Sequence, residues 1–270
     1  MATFPLLTIH GARGSSPVSG PAIQRIGGHT TSLELTAPGA DAVLIDAGSG
    51  LLKLEPAGRT AFTVLFTHFH WDHLQGLPFF APLYDHAARI DFVARAPDGG
   101  SVEEALVEAI RPPWFPVPLA ATASAKTYHD LPDGRLTLGP FAIDHIALPH
   151  PGGVTAYRFT TNGTSVVFAT DVEMGEPAVD ARLRAFAAGA DVLIHDAQYT
   201  PEEYEAKHRG WGHSTWEHAA ANAAAAGVGR LILTSHDPQR RDDAVDAIVG
   251  RAQALFPRTE AAYSGLSIAF

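Results

Sequence analysis

The chain has 270 residues, 46% apolar and 18% charged, and no cysteine, so disulfides, cysteine nucleophiles and thiolate metal sites are excluded. Its formal charge is −10, from 19 Lys and Arg against 29 Asp and Glu, which opposes non-specific binding along a phosphate backbone but not capture of a small anion by metal ions. No apolar run approaches the roughly 20 residues that span a bilayer. The opening MATFPLLTIHGARG lacks a basic segment followed by a long apolar one, so no signal peptide, no membrane partner and a cytoplasmic location are expected.

Leu6 to His10 reads as a first strand, running into a Gly/Ser/Pro loop from Gly11 to Pro21. That loop reads first as plain surface; the alternative is a loop over a site, with Arg13 or Ser15 near an anionic group. Thr31–Thr36 and Ala42–Ile45 read as a strand pair ending at Asp46. Asp46 either orients a metal-binding histidine from outside or caps the helix expected near Ser49. Phe62–Phe66 is apolar apart from Thr63, the signature of a buried strand.

The next stretch, Thr67 to His73, is T-H-F-H-W-D-H. His68, His70, Asp72 and His73 would stand on a loop at the end of a core strand. Imidazole and carboxylate donors suit a borderline ion such as zinc. His68 and His70 can converge on one ion, leaving Asp72 and His73 to face a second.

Ile90–Ala94 reads as a strand and Val102–Ile110 as a short helix broken by Pro112-Pro113-Trp114-Phe115-Pro116. Residues 85–130 are the expected substrate-facing insertion, against a small satellite core as the alternative. With seven acids and four bases between Asp85 and Asp130, it is no RNA-binding arm. Beyond it, Leu136–Leu148 holds two strand-like runs that end at His150. Val154–Phe159 and Ser165–Ala169 form a hairpin around Asn162-Gly163, ending at Asp171.

Ala178–Ala188 reads as a helix, and Asp191–Ile194 as a strand running into His195-Asp196. Ser214 to Glu217, just after Gly210-Trp211-Gly212-His213, reads as a capping box opening an alanine-rich helix that stops at Gly227. Leu231–Thr234 is a strand followed by Ser235-His236-Asp237-Pro238. Asp242–Phe256 is a last helix and Leu266–Phe270 a closing strand. Strands and helices mix throughout, so an α/β sandwich is expected, as a single domain over 1–270. Most of the singled-out His and Asp residues fall where an apolar strand runs out, the edge on which α/β proteins place their sites.

The ordered set of HFHWDH, His150, Asp171 and His236 resembles the metallo-β-lactamase superfamily. The strings HWDHLQGLPFF, HPGG, ATDVE, HDAQY, GWGHST and SHDP resemble its phosphodiesterase branch, which includes tRNA 3′-processing endonucleases and cyclic phosphodiesterases. The resemblance spans nearly the whole chain. It implies an αββα sandwich, two mixed sheets flanked by helices, with two divalent ions between the sheets, zinc first and manganese second. On this pattern His68, His70 and His150 hold one ion. Asp72, His73 and His236 hold the other, although the last ligand position could fall on Ser235 instead. Asp171 bridges both ions, and His213 is the proton donor, oriented by Asp196.

The implied activity is hydrolysis of a small or cyclic phosphodiester. The alternatives are a carboxylic ester, lactone or thioester hydrolase and a non-catalytic metal or ligand binder. Trp71, Trp114 and Trp211 either stack a base, wall off water or pack. The charge makes structured nucleic acid an unfavoured partner, and a homodimer is left open.

Overall fold

The apolar runs become strands buried on both faces. In Ala42–Ile45, Val43 and Ile45 enter one core while Ala42 and Leu44 enter another. A strand covered on both sides has no solvent face to show, which is why FTVLF holds a single polar residue, the buried Thr63. The computed structural model describes residues 4–270.

The first sheet has seven strands. In spatial order they are β14 (Ser267–Ala269), β1 (Leu6–Gly11), β2 (Ser32–Thr36), β3 (Ala42–Ile45), β4 (Ala61–Leu65), β5 (Arg89–Ala94) and β6 (Ala125–Asp130). The second also has seven, in the order β13 (Thr259–Ala261), β12 (Arg230–Thr234), β11 (Val192–Asp196), β10 (Thr164–Ala169), β9 (Val154–Thr161), β8 (Phe141–Leu148) and β7 (Leu136–Leu138). Both sheets are mixed. Pairing is antiparallel from β14 to β3 and from β7 to β10, and parallel through the remaining strands of each. Parallel neighbours need crossovers. Short turns make the crossovers from β3 to β4 and from β4 to β5, and the others carry α1 (Val102–Ala109), α2 (Pro177–Ala187), the short α3 (Pro201–Glu203), α4 (Trp216–Ala226) and α5 (Asp242–Leu255).

The sheets face each other across a core containing Leu7, Ile45, Leu65, Phe141, Tyr157 and Phe168. The outer face of the first sheet packs Phe62, Val64 and Phe92 against α1 and the turns that follow β4. The outer face of the second packs Leu193 and Leu231 against α4 and α5. Four small residues of α4, Ala219, Ala220, Ala223 and Ala226, form its buried stripe and let the helix lie close. The layers are therefore αββα.

Two hydrogen bonds tie the sheets together under the loop that follows β4. Tyr157 Oη donates to Phe66 O at 2.7 Å, and the Thr155 amide donates to Thr67 O at 2.9 Å.

Residues 85–130 are the segment expected from sequence to be a substrate-facing insertion. They supply β5, α1 and β6, and so extend the first sheet. The α4 cap also shifts by one residue. Thr215 is the N-cap and accepts from the His218 amide, while Ser214 Oγ donates to Val172 O instead. Among the described residues no helix is long and apolar enough to cross a membrane.

Candidate metal centre

Asp46, at the end of β3, is fully buried with φ 57, and its carboxylate organises the loop after β4. Oδ1 accepts from the Thr67 amide at 2.8 Å, and Oδ2 accepts from Thr67 Oγ1 and from His73 Nδ1, each at 2.8 Å. Burial pushes this carboxyl up, against the pull of His73 and Thr67. Of the two sequence readings of Asp46, orienting a histidine is the observed one. The turn at Ser49–Lys53 has Gly48 at its N-cap with no side-chain cap.

Thr67 gives its own proton to Asp46, so toward His68 Nδ1, 3.0 Å away, it can only accept. That fixes the tautomer and leaves a lone pair on His68 Nε2, a buried atom with no hydrogen-bond partner. His150 is fixed in the same way, its Nδ1 donating to Gly212 O at 2.8 Å. Its Nε2 then lies 3.0 Å from His70 Nδ1. A Cβ on Gly212 would overlap His150 Nδ1, and its φ of 86 disfavours any other residue. Burial above all keeps His68, His70 and His150 below the usual histidine range. Three neutral imidazoles thus converge with ring nitrogens close enough to share one ion.

A second group joins His73, Asp171 and His68. Asp171 Oδ2 lies 3.1 Å from His73 Nε2 and 3.7 Å from His68 Nε2, so this carboxylate faces both groups. Asp72 Oδ2 is 3.5 Å from His73 Nε2 and accepts from the Ser15 amide at 2.8 Å. Burial lowers His73, but Asp171, Asp72 and Asp46 outweigh it and hold the ring well above its ordinary value. Burial likewise raises Asp171, yet His73, His213 and His68 keep it well below the carboxylate range. The proton on His73 stands where a cation would satisfy the same carboxylates. The donor set therefore fits divalent metal.

His213 and Asp196 adjoin this cluster. His213 Nδ1 donates to Asp196 Oδ2 at 2.7 Å. Burial disfavours the imidazolium, but Asp196, Asp171 and Asp72 raise it to about 9. Asp196 Oδ1 also accepts from the amides of Gln198 at 3.1 Å and Ser214 at 2.9 Å.

His236 is not brought to the cluster. Its Nε2 donates to Ala262 O at 3.1 Å, and burial, with Arg13 and Arg240, lowers it to about 3. The cause is the turn after β12. Ser235 takes φ 56, and the His236 backbone then bonds Ala12 O at 3.0 Å and the Gly14 amide at 3.1 Å. That pairing swings the ring away from the donors. Ser235 Oγ occupies the expected place, 3.2 Å from Asp171 Oδ1 and 2.7 Å from Thr170 Oγ1. Arg13 does not face the donor cluster either, and its nearest anion is Asp242, 3.7 Å from Nη2. The arginine is fully buried, donating from Nε to Gly27 O at 2.9 Å and from Nη1 to Arg240 O at 2.7 Å.

Sequence reasoning also missed Glu173, which accepts from the amides of Gly210 at 2.6 Å and Gly212 at 2.8 Å. It orders the loop that carries His213. Its place two residues after Asp171 was the available signal. Trp71, Trp114 and Trp211 are exposed rather than packed. A cavity of about 610 Å³ opens beside His68 and His70.

A family model described as beta-lactamase superfamily domain matches residues 41–236. Among curated proteins, a ribonuclease Z of Synechococcus sp. (strain WH7803) is 36% identical over 186 residues, 68% of this chain and 50% of that protein. The chain spans half or less of the length of the curated relatives it matches first. Among solved structures, the metallo-beta-lactamase fold protein YhfI from Bacillus subtilis superposes with TM-score 0.75 at 22% identity, covering 99% of this chain and 100% of that one. A diphosphatase of the PhnP family superposes with TM-score 0.69 at 20% identity, covering 98% of both chains. At those identities the likeness is one of fold.

Proposed function

The chain belongs to the beta-lactamase superfamily, and we propose that it is a metal-dependent hydrolase that cleaves a small or cyclic phosphodiester. The observation that carries this reading is the placement of His213, whose Nδ1 donates to Asp196 Oδ2 at 2.7 Å beside the metal donors. A carrier of metal or ligand has no use for a positioned acid. A phosphodiesterase does, because its leaving oxygen must be protonated.

His68, His70 and His150 would hold one ion. Asp72 and His73 would hold the second, with Asp171 facing both. Zinc suits the nitrogen-rich group, and manganese is the alternative at the oxygen-richer one. Bound ions would neutralise charge on the phosphate oxygens and acidify a water. The chain's own part is orientation and proton supply. Asp46 and Thr67 fix the donor tautomers, Gly212 and Glu173 fix His150 and its loop, and His213 gives its Nε2 proton to the leaving oxygen.

A small substrate is favoured by the charge of −10, since a long polyanion draws its affinity from Lys and Arg contacts. The ribonuclease Z relatives favour a second reading, cleavage of RNA. One screen of metal-reconstituted protein separates them, using bis-p-nitrophenyl phosphate, cyclic nucleotides, a lactone panel and precursor tRNA. Turnover should be highest on cyclic or aryl phosphodiesters. Efficient, salt-sensitive cleavage of the tRNA trailer would refute the small-substrate reading. Lactone turnover far above phosphodiester turnover would refute phosphodiesterase chemistry.

A further inference from the structure

Among the described residues, six that are not glycine take a left-handed φ. Ala57 and Asn162 lie in turns between strands. The other four, Ser15, Asp46, Asp171 and Ser235, gather at the donor cluster. Asp46 orients His73, Asp171 faces both donor groups, and Ser235 bonds Asp171. Such a backbone is disfavoured for a residue with a Cβ and persists where a site requires it. Ser15 is the one of the four whose side chain has no task in the cluster as described.

The loop that carries Ser15 is pinned on both sides. The amides of Ala12 and Arg13 donate to His29 O at 3.1 and 3.0 Å, and the Gly14 amide donates to His236 O at 3.1 Å. A Cβ at Gly14 would overlap Gln198 Oε1, so only a glycine there lets the loop lie against Gln198. Ser15 is then held at two points. Its amide donates to Asp72 Oδ2 at 2.8 Å, and its Oγ accepts from Gln198 Nε2 at 3.2 Å.

Gln198 is buried and itself fixed. Its backbone amide donates to Asp196 Oδ1 at 3.1 Å, and Nε2 also donates to Tyr199 Oη at 3.1 Å. The Tyr199 ring stands edge to face with His213, 5.9 Å between centroids. Ser15 and the proton donor are thus set by consecutive residues of one buried segment.

Because Ser15 Oγ accepts from Gln198, its own proton is left over, and no acceptor among the described residues takes it. The residue is exposed, beside Asp72. Imidazoles and carboxylates that hold metal have no proton to offer a phosphate on the same side, and His213 is committed to the leaving oxygen. The Ser15 hydroxyl is the donor that remains for a non-bridging oxygen.

We propose that Ser15 is a substrate-binding residue whose hydroxyl donates to a non-bridging oxygen of the scissile phosphate. The proposal rests on the hydrolase reading above and adds a contact outside the metal donors. Gln198 is its positioning residue, turning the hydroxyl proton outward.

The test uses Ser15→Gly, since glycine takes φ 61 without strain and keeps the amide on Asp72. Ser15→Ala, with a stiffer backbone, controls for loosening of the loop and should behave alike. On metal-reconstituted protein both should raise KM for bis-p-nitrophenyl phosphate by roughly 10–100-fold, the range of a hydrogen bond to a charged group. The kcat should change little, because a bond made alike to bound and reacting phosphate moves KM alone. Calorimetry of inorganic phosphate on the zinc-loaded proteins should show the same loss of affinity, with the zinc dissociation constant unchanged. Gln198→Leu should cause a smaller loss in wild type and none in the Ser15→Gly background. If wild type turns over no phosphodiester, the hydrolase reading fails, while a Ser15-dependent affinity for inorganic phosphate would still uphold the contact. Unchanged phosphate affinity in both variants overturns the proposal. So does a weakened zinc affinity that accounts for the loss, since Ser15 would then act only through Asp72.

Discussion

His213 and Asp171 hang on one oxygen: Asp196 Oδ2 accepts the His213 Nδ1 proton at 2.7 Å and the Asp171 backbone amide at 3.0 Å. The proton donor and the carboxylate that faces both donor groups are therefore placed by the same atom. Asp196→Asn should consequently do two things, where His213→Ala does one. It should cut turnover and also loosen metal, measured as a raised zinc dissociation constant. Unchanged zinc affinity in Asp196→Asn would show that the Asp171 backbone is held by something else.

His213→Ala should lower turnover by roughly 10²–10⁴-fold with metal content unchanged. The loss should shrink on nitrophenyl esters, whose leaving groups need no proton. In wild type, activity should fall on the alkaline side as His213 loses its proton, at no higher than about pH 9, since bound cations would lower that value. The variant should lack this limb. A variant that loses metal would make His213 a ligand instead.

Metal content should follow the geometry rather than the sequence order. Asp171→Ala should disturb both ions, and His150→Ala mainly the nitrogen-rich one. His236→Ala should leave both in place, because its ring is bonded to Ala262. Elemental analysis of the three dialysed variants checks this, and selective depletion in His236→Ala would contradict it.

Gly212→Ala is a substitution outside the donor set that should act on the metal. Its Cβ would strike His150 Nδ1 and its backbone would be strained at φ 86. Weaker zinc binding with folding retained by circular dichroism is the expected result. Normal zinc affinity would mean that the loop carrying His213 can shift without moving His150.

His236 also predicts a pH dependence of stability. In the fold it is lowered from 6.5 to about 3, chiefly by burial. Between those values the unfolded chain binds a proton that the folded chain refuses. The stabilisation is thus complete above about pH 6.5 and is lost as pH falls toward 3, by about 1.4 kcal/mol per pH unit for one proton. Urea midpoints of zinc-loaded protein at pH 7 and pH 5 should fall less steeply in His236→Gln than in wild type. Identical slopes would show that His236 does not titrate this way.

The readable parts of the sequence were those where burial dictates residue type. β4 sits between two cores, so its apolar run announced both the strand and the loop beyond it. α5 ended within one residue of its expected end for the same reason. β6, with the sequence AKTYHD and no fully buried residue, lies at a sheet edge where little selects apolar side chains, and it was missed. The donor loop was legible because its ligands are adjacent in sequence. The last ligand position was not, because the choice between Ser235 and His236 depends on a single left-handed residue, and composition carries no trace of its φ. The role of Arg13 was hidden likewise, since a buried arginine bonded to carbonyls reads from sequence like any basic loop residue.

The two bonds from Tyr157 and Thr155 to the backbone of Phe66 and Thr67 join the sheets at the root of the donor loop. His68, His70, Asp72 and His73 come from one side of that seam, and His150 and Asp171 from the other. Any metal bound across it would act as a clasp whose affinity adds to the cooperativity of unfolding. Neither half could come apart alone without giving up the ion. Saturating metal should therefore move the melting of both sheets together, in one transition that shifts upward with the logarithm of free metal concentration.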